Sequence, residues 1–557
     1  MPAVLLALAI VAAPTLYVLR RVSWARSMRT YTAVPDTARA GEPRRGDLMR
    51  GTAVVCGGSI AGLLTARVCA SHFERIVVVE PEGWTLTDAA QDPPVDELGE
   101  AVKDGFAYNT LRHKRSRVYQ YSAIHGYQSL LTDVLNALFP GSFTNEAKRF
   151  GIHIGPNDPN PLVAGWRFKI PWNSYPGGVL PATILSARRT LEPLIRLLVR
   201  RTCPTIEFVH GTVTDLLLAD KRSGNQIRAV VLREAGDNGT SREIQCDLVA
   251  DCTGVAQAGL KMLIRALPGG TLPNNLREQY GPQMQYASLE FPSVGLDNIL
   301  RVVSPPDFPP PPHVGIFFSY FPDPSVEHRS LSIIRSDNDG VYILAGGWAS
   351  EMPVSLEEVL EFVDKMVHRS KIPVYVFAFL DALVPHASEA IVTQSRITSC
   401  SRIHYARAAK SGKLPQNFVA IGDSSMRMNP RFGEGTTKAA LGAMTLDGAL
   451  RDVSVKSNKF ARTFFSRLDA RTNSIWEGAK YADYAHPSTT PVPGEKLTDG
   501  AFARWFNKTL QPVLSYNPAA AKALWDVSIF LVPASVLFAP TILFAVLREA
   551  VFPTRRP

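Results

Sequence analysis

The sequence predicts an α/β protein in which a parallel sheet is interrupted by a mainly antiparallel sheet and followed by a helical C-terminal region. Three observations carry this. The β-branched run Thr52–Val55 breaks into Cys56-Gly57-Gly58, an apolar-periodic segment follows, and Arg75–Glu80 reads as a second buried strand, which together make a βαβ unit. Residues 286–347 hold four alternating strand-like runs separated by proline-rich turns, notably around Pro305–Pro312, as an antiparallel sheet requires. Near the end, Asn417–Ile421 reads as one more short buried strand and Gly435–Leu450 as a helix, so the chain returns to the first sheet.

From the N-terminus, Ala3–Leu19 is an uncharged apolar run followed by Arg20, Arg21, Arg26 and Arg29. Nothing basic precedes it, as a cleaved leader would require, so residues 1–29 are expected to form a retained anchor, with the body on the cytosolic side. Residues 30–50, polar and turn-forming, read as a linker. Residues 51–280 are expected to form the first part of the nucleotide-binding domain, with an inserted segment at 111–180. Residues 281–395 form the inserted sheet, 396–470 the second part of the first domain, and 471–557 a C-terminal helical, membrane-associated region. Within the first part, 85–117 reads as loop, Tyr127–Phe139 as a helix stopped by Pro140-Gly141, and Thr190–Arg200 as another helix. The last apolar run, Val527–Leu547, is long enough to span a bilayer, but Pro533 and Pro540 interrupt it and favour a kinked or re-entrant segment, with a buried core helix as the alternative. A membrane location is expected, the endoplasmic reticulum, with the catalytic domain facing the cytosol.

With 557 residues, 46% hydrophobic and 20% charged, the chain can bury one large core or two. The net charge of +10 is scattered, with no basic helix or aromatic-interleaved motif, which argues against nucleic acid and for an anionic membrane surface or simple solubility. None of the six cysteines forms a CxxC pair or a zinc spacing, so free thiols and no metal are expected.

Two glycine-rich corners carry the chemistry. In Gly57-Gly58-Ser59-Ile60-Ala61-Gly62 the first glycine permits a tight turn, the small third position lets a pyrophosphate approach the backbone, and Gly62 lets the helix pack against the sheet. The helix N-terminus meets the phosphates, and Glu80 can accept hydrogen bonds from ribose hydroxyls. This is a Rossmann-type fingerprint in which Ser59 replaces the middle glycine. The second corner runs from Gly422-Asp423 through Pro430 to Gly433-Glu434-Gly435, a strand end, a constrained turn and a Gly-x-Gly entry into a helix. There backbone N–H groups can meet a phosphate or a ring carbonyl, and Asp423 a hydroxyl.

The pairing of these corners resembles the FAD-dependent monooxygenase superfamily, which includes aromatic hydroxylases and squalene epoxidases, over about Thr52–Leu450. The resemblance implies a glutathione reductase-like FAD-binding domain in which Asp423, Pro430, Gly433 and Gly435 bind the ribityl and pyrophosphate of FAD. Ser186–Glu192 is similar to the family's Arg-x-x-Leu helix start, with Arg188 in the register that contacts FAD. Two departures matter. Thr253 replaces the aspartate of the hydroxylases' Asp-Gly motif, which puts direct NADPH use in doubt, and Met426 stands where many members have histidine. Gly165–Pro171 superficially resembles the tryptophan motif of flavin-dependent halogenases but has one of its two tryptophans, in the wrong order along the chain.

His125, with Gln120 upstream, falls in a segment that in this superfamily lies near the flavin ring; a lone histidine is more often structural. No catalytic residue is singled out. The implied activity is insertion of one oxygen atom from O2 into a lipophilic small molecule such as a terpenoid or prenylated metabolite, epoxidation being one form. NAD(P)H or a separate reductase would be the electron donor, and membrane lipid a partner. Two alternatives stay open: a flavin-dependent reductase or dehydrogenase of isoprenoid double bonds, and a non-catalytic membrane flavoprotein.

Overall fold

The computed structural model describes residues 2–95, 97–112, 115–118, 120–167, 170–220, 225–236, 240–269, 272–310 and 313–554, and in the first helix side chains only from Thr15, Leu16 excepted. The βαβ unit consists of strand Met49–Cys56, helix Ile60–Cys69 and strand Phe73–Glu80, with the strands parallel in the register Val54↔Val77. Leu248–Asp251 and then Phe418–Ala420 extend the sheet in parallel on one side. On the other side Ile206–Leu218 pairs in parallel with the second strand and starts an antiparallel meander through Ile227–Glu234 and Ser241–Gln245. The last strand of this seven-stranded sheet lies far along the sequence from its neighbour, and the intervening chain builds most of a second sheet.

That second sheet has nine strands, with Met284–Phe291, Val341–Trp348, Arg329–Arg335 and Ile316–Phe321 at its centre in antiparallel order. Its edge corrects the expectation of loop at 85–117. Leu98–Lys103 and Phe106–Leu111 form a hairpin turned at Asp104-Gly105, both with positive φ, and along the first of these strands every second residue is exposed. The Asp-Gly turn signal is there in the sequence. The edge position leaves the strands polar, which hides their alternation.

Both terminal regions differ from simple anchors. The first helix, Pro2–Tyr31, continues beyond the apolar run, most of whose side chains lie outside the described residues. The stretch read as a linker is fastened to the body: Asp36 is ion-paired to Arg471 at 2.7 Å, and Arg471 also donates to the Arg29 carbonyl at 2.9 Å. The C-terminal apolar run is not one spanning helix. It breaks at its two prolines into the end of helix Pro518–Ser528, a turn at Ala534–Phe538 and helix Pro540–Val551. Ile542, Ala545 and Val546 bury themselves with Phe506, Leu510 and Val513 of helix Ala501–Tyr516 and with Ile170, Tyr175 and Leu180. The Ile170–Leu180 segment lies far upstream, and helix Ala501–Tyr516, though close in the sequence, offers a partner face that hydropathy alone does not assign to the run. Among the described residues no helix is long and apolar enough to cross a membrane.

At the first corner the backbones press together. Gly57, at φ +109°, would place a Cβ 2.5 Å from the Cys252 carbonyl oxygen, and Gly62 would place one 1.8 Å from that of Gly57. A methyl group at position 62 has nowhere to go without lifting the helix off the strand. Gly62→Ala is expected to destabilise the protein by about 2–4 kcal/mol, the upper part of the range for overpacking and close-approach sites, read as a lower midpoint in urea unfolding; an unchanged midpoint would contradict this packing.

Candidate functional site

Both glycine corners open onto one cavity of about 1040 Å³. From the first corner Ser59, Ile60 and Ala61 line it, from the second Gly422, Asp423, Pro430, Gly433 and Gly435, and between them Arg188. Gly57, Gly58, Gly62 and Glu80 lie behind this lining. The corners touch: a Cβ on Gly422, which has φ +72°, would stand 3.2 Å from the Ala61 Cβ. Gly433, at φ +66°, abuts Gly126, while a Cβ on Gly435 would meet nothing within 4 Å and faces open space.

Ser59 begins helix Ile60–Cys69 without capping it. Its hydroxyl instead donates to Glu192 Oε2 at 2.7 Å and accepts from Arg188 Nη2 at 3.0 Å. The departure from glycine is therefore accommodated sideways, and the hydroxyl leaves the helix N-terminus uncapped for an anion.

Behind Ser59 sits a buried charge cluster that is invisible to motif reading. Arg115 pairs with Glu80 at 2.9 Å, with Glu82 at 2.5 Å and with Glu192, and Arg196 reaches Glu192 at 3.1 Å. Glu80, expected to face a ribose, has Oε2 accepting from the Gly58 N–H at 2.7 Å and Oε1 accepting from the Glu82 N–H and Arg115. Its carboxylate thus braces the glycine turn from within. Burial works to raise the Glu192 carboxyl, but Arg115, Arg188 and Arg196 outweigh it and hold it down at about 2.

At the second corner, Lys438 Nζ donates to Asp423 Oδ1 at 2.8 Å and to the Met426 carbonyl, which fixes the Gly-Asp turn against the following helix, Gly435–Asp452. The Pro430 turn is held from the other side. Asp483 accepts from Asn429 Nδ2 at 2.8 Å, Trp348 Nε1 at 3.0 Å and Tyr280 at 2.9 Å, and Tyr286 donates to Asn429 at 2.5 Å. Arg431 stacks 4.8 Å above Trp348. Burial raises the Asp483 carboxyl to about 6, against the pull of its donors.

Thr253 does not face the cavity: its hydroxyl donates to Asp251 at 2.7 Å and accepts from the Ala258 N–H, closing a turn at the start of helix Ala258–Ala266. Met426 is buried in the core beside Trp348 and Trp476. Trp166 lies in a short hairpin paired Val163↔Trp166 and is buried. His125 and Gln120 do line the cavity. His125 Nδ1 lies 2.9 Å from the Ala123 carbonyl, and burial, helped by Arg188, lowers its imidazole to about 3, so it is neutral at any physiological pH.

Beyond the corners the cavity runs along the inserted sheet, past Tyr286, Ser288 and Leu344, to a roof made by Leu510, Leu514, Trp525, Phe530 and Leu537. Phe530 and Leu537 come from the run that the sequence marks only as apolar, and Leu510, Leu514 and Trp525 from the two helices before it. Helix Phe460–Asp483 closes one flank through Ile475 and Ala479. The result is a polar, glycine-lined end joined to an apolar chamber.

No family model matches the chain. The protein Rv3254 of Mycobacterium tuberculosis is 23% identical over 503 residues, covering 84% of this chain and 90% of its own. Among solved structures, the flavin-dependent brominase Bmp2 matches with a TM-score of 0.53 at 13% identity, over 91% of this chain and all of that one. A variant of HpxO from Klebsiella pneumoniae, complexed with FAD, matches at 0.51 and 12% identity over 87% of this chain and all of that one. A flavoprotein/dehydrogenase of Cytophaga hutchinsonii matches at 0.50 and 12% identity over 90% and 100%. The likeness is one of fold, a Rossmann-type domain with an inserted sheet and a helical C-terminal region, shared with these flavin-dependent proteins.

The charge cluster sets an acid limit on stability. Glu192, held near 2, contributes stability that is fully present above the ordinary carboxylate range of about 4.3 and is lost as pH falls towards 2. Arg115→Met takes the guanidinium from Glu80 and Glu82 and leaves Glu192 only Arg188 and Arg196, and should lower unfolding free energy at pH 7 by about 3–5 kcal/mol. It should also flatten the decline between about pH 4.5 and 2, as measured by denaturant unfolding across that range.

Proposed function

We propose that this chain is an FAD-dependent monooxygenase that inserts one oxygen atom from O2 into a lipophilic small molecule, with NAD(P)H or a separate reductase as electron donor. The observation that carries the reading is the single cavity bounded by both glycine corners at one end and by an apolar roof at the other. The residues present fit the cofactor. The N-terminus of helix Ile60–Cys69 is uncapped, Gly435 borders open space, and Asp423 is fixed at the rim by Lys438. Ser59, Ile60, Ala61 and Arg188 would hold the pyrophosphate, and Asp423, Pro430, Gly433 and Gly435 the ribityl chain. Bound there, the flavin supplies electron transfer and oxygen activation, while the protein supplies position, a water-poor chamber and fixed dipoles.

A lipophilic substrate, such as a terpenoid or prenylated metabolite, is favoured by the chamber roof of Leu510, Leu514, Phe530 and Leu537. Association with a membrane, the body on its cytosolic side, fits the apolar first run with its four following arginines and the exposed Phe538, Phe544, Leu547, Val551 and Phe552 near the C-terminus. Helix Ala501–Tyr516 adds Phe502 and Trp505 to the exposed apolar residues, and Trp505 also borders the cavity. A route from lipid to the chamber would run past it.

The purified protein should carry a yellow chromophore with flavin absorbance, and Asp423→Ala should weaken FAD retention on the order of tenfold, as loss of one charge-assisted contact of about 1.4 kcal/mol implies. Folded protein that never takes up flavin would remove the reading. Oxygen consumption with a product one oxygen atom heavier than the substrate separates oxygenation from reduction of a double bond.

A further inference from the structure

The second corner contains one acidic side chain that takes no part in the contacts holding the corners together. Glu434 sits between Gly433 and Gly435, borders the cavity, and forms the residue before helix Gly435–Asp452. Its Oε2 is shut from solvent and has no hydrogen-bond partner among the described residues. The cation one turn away does not answer it, since Lys438 Nζ bonds to Asp423 and to the Met426 carbonyl. A carboxylate left like this carries a heavy desolvation cost, which a proton removes.

The surroundings leave the proton on this group. Lys438 is on its own helix, Arg431 is earlier in its loop and stacked on Trp348, and Asp423 is paired with Lys438. His125 and Tyr127 come from the segment whose Gly126 abuts Gly433, and Arg188 lines the cavity from the first corner. His125 is held neutral by burial, which also keeps the Tyr127 hydroxyl protonated. Burial lifts the Glu434 carboxyl to about 7, with Lys438 pulling the other way. Among these neighbours it is the group poised to change charge near neutral pH.

We propose that Glu434 is the proton-carrying residue of this cavity, a carboxylic acid that gives its proton to the bound flavin as the ring is reduced and recovers one from solvent afterwards. The inference rests on the FAD reading. The two electrons arrive from a reductase, or as a hydride from the nicotinamide that itself forms one ring N–H bond; in either case the Glu434 O–H bond breaks, its proton forms a ring N–H bond, and the carboxylate left behind takes up a proton from solvent.

The test uses the flavin-loaded full chain, photoreduced with a sacrificial donor, and follows infrared difference spectra in H2O and D2O. The wild type should lose a protonated-carboxyl carbonyl band on reduction, shifted in D2O, which is absent in Glu434→Gln and returns in Glu434→Asp. The reduction midpoint, followed from about pH 5.5 to 8.5, should bend near pH 7 in the wild type and not in Glu434→Gln. A flavin-replete wild type with neither band nor bend, or a Glu434→Gln variant with the wild-type pH profile, overturns the proposal while leaving the FAD reading intact. If Glu434→Gln does not fold, the wild-type spectra and pH profile decide alone. Folded protein that takes up no flavin overturns both.

Discussion

The close approach of backbone to backbone at the two glycine corners is the constraint on which the rest depends. Gly62 brings the first helix onto the Gly57 carbonyl, Gly57 brings its turn onto Cys252, and Gly422 brings the late turn onto Ala61. With these contacts in place, two segments from opposite ends of the nucleotide-binding domain share one cavity wall. The intervening sheet is then obliged to leave and re-enter the first domain at neighbouring strands, Leu248–Asp251 and Phe418–Ala420, and so hangs over the same opening. Any side chain at Gly57, at its positive φ, would push the turn away from the neighbouring strand.

Electrostatics hold the corners in place by different means. The first rests on ion pairs with almost no solvent access, in which one guanidinium serves three carboxylates and a second and third share Glu192. Such a cluster contributes little net stability over an apolar filling but is severe when broken, so it acts as a geometric lock on Ser59 and Gly58. The second corner rests on neutral donors gathered around Asp483 and on the Lys438–Asp423 pair. The Asp483 carboxylate, fed by three neutral hydrogen bonds, positions Asn429 and Pro430, while the Lys438–Asp423 pair fixes the Gly-Asp turn at the cavity rim.

How much of this was legible in the sequence follows from the range of each signal. The βαβ unit, the late strand and helix and the central strands of the inserted sheet announce themselves through local periodicity and glycine placement, because each is decided within about ten residues. The hairpin at Leu98–Leu111 has the turn signal but no apolar alternation, since a sheet edge does not demand it. Arg115, Glu192 and Asp483 carry no signal: Arg115 meets a carboxylate 77 residues later and Asp483 an asparagine 54 residues earlier. Glu80 is at the expected strand end, yet its carboxylate faces inward because Arg115, which no spacing rule points to, is there to receive it.

The apolar C-terminal run shows a limit of a different kind. Hydropathy reports that a segment avoids water, and a bilayer and a protein interior satisfy that equally. What separates them is whether other apolar surface exists to cover the run, and here helix Ala501–Tyr516 and the Ile170–Leu180 segment provide it on one face only. The opposite face keeps Phe544, Leu547 and Val551 exposed on a helix whose other side is a core. One face of the helix is packed on protein and the other is bare, and the inner face is continuous with the core that includes Leu510 and Leu514 of the cavity roof. The helix that carries the bare apolar face is therefore packed directly against the residues that close the chamber.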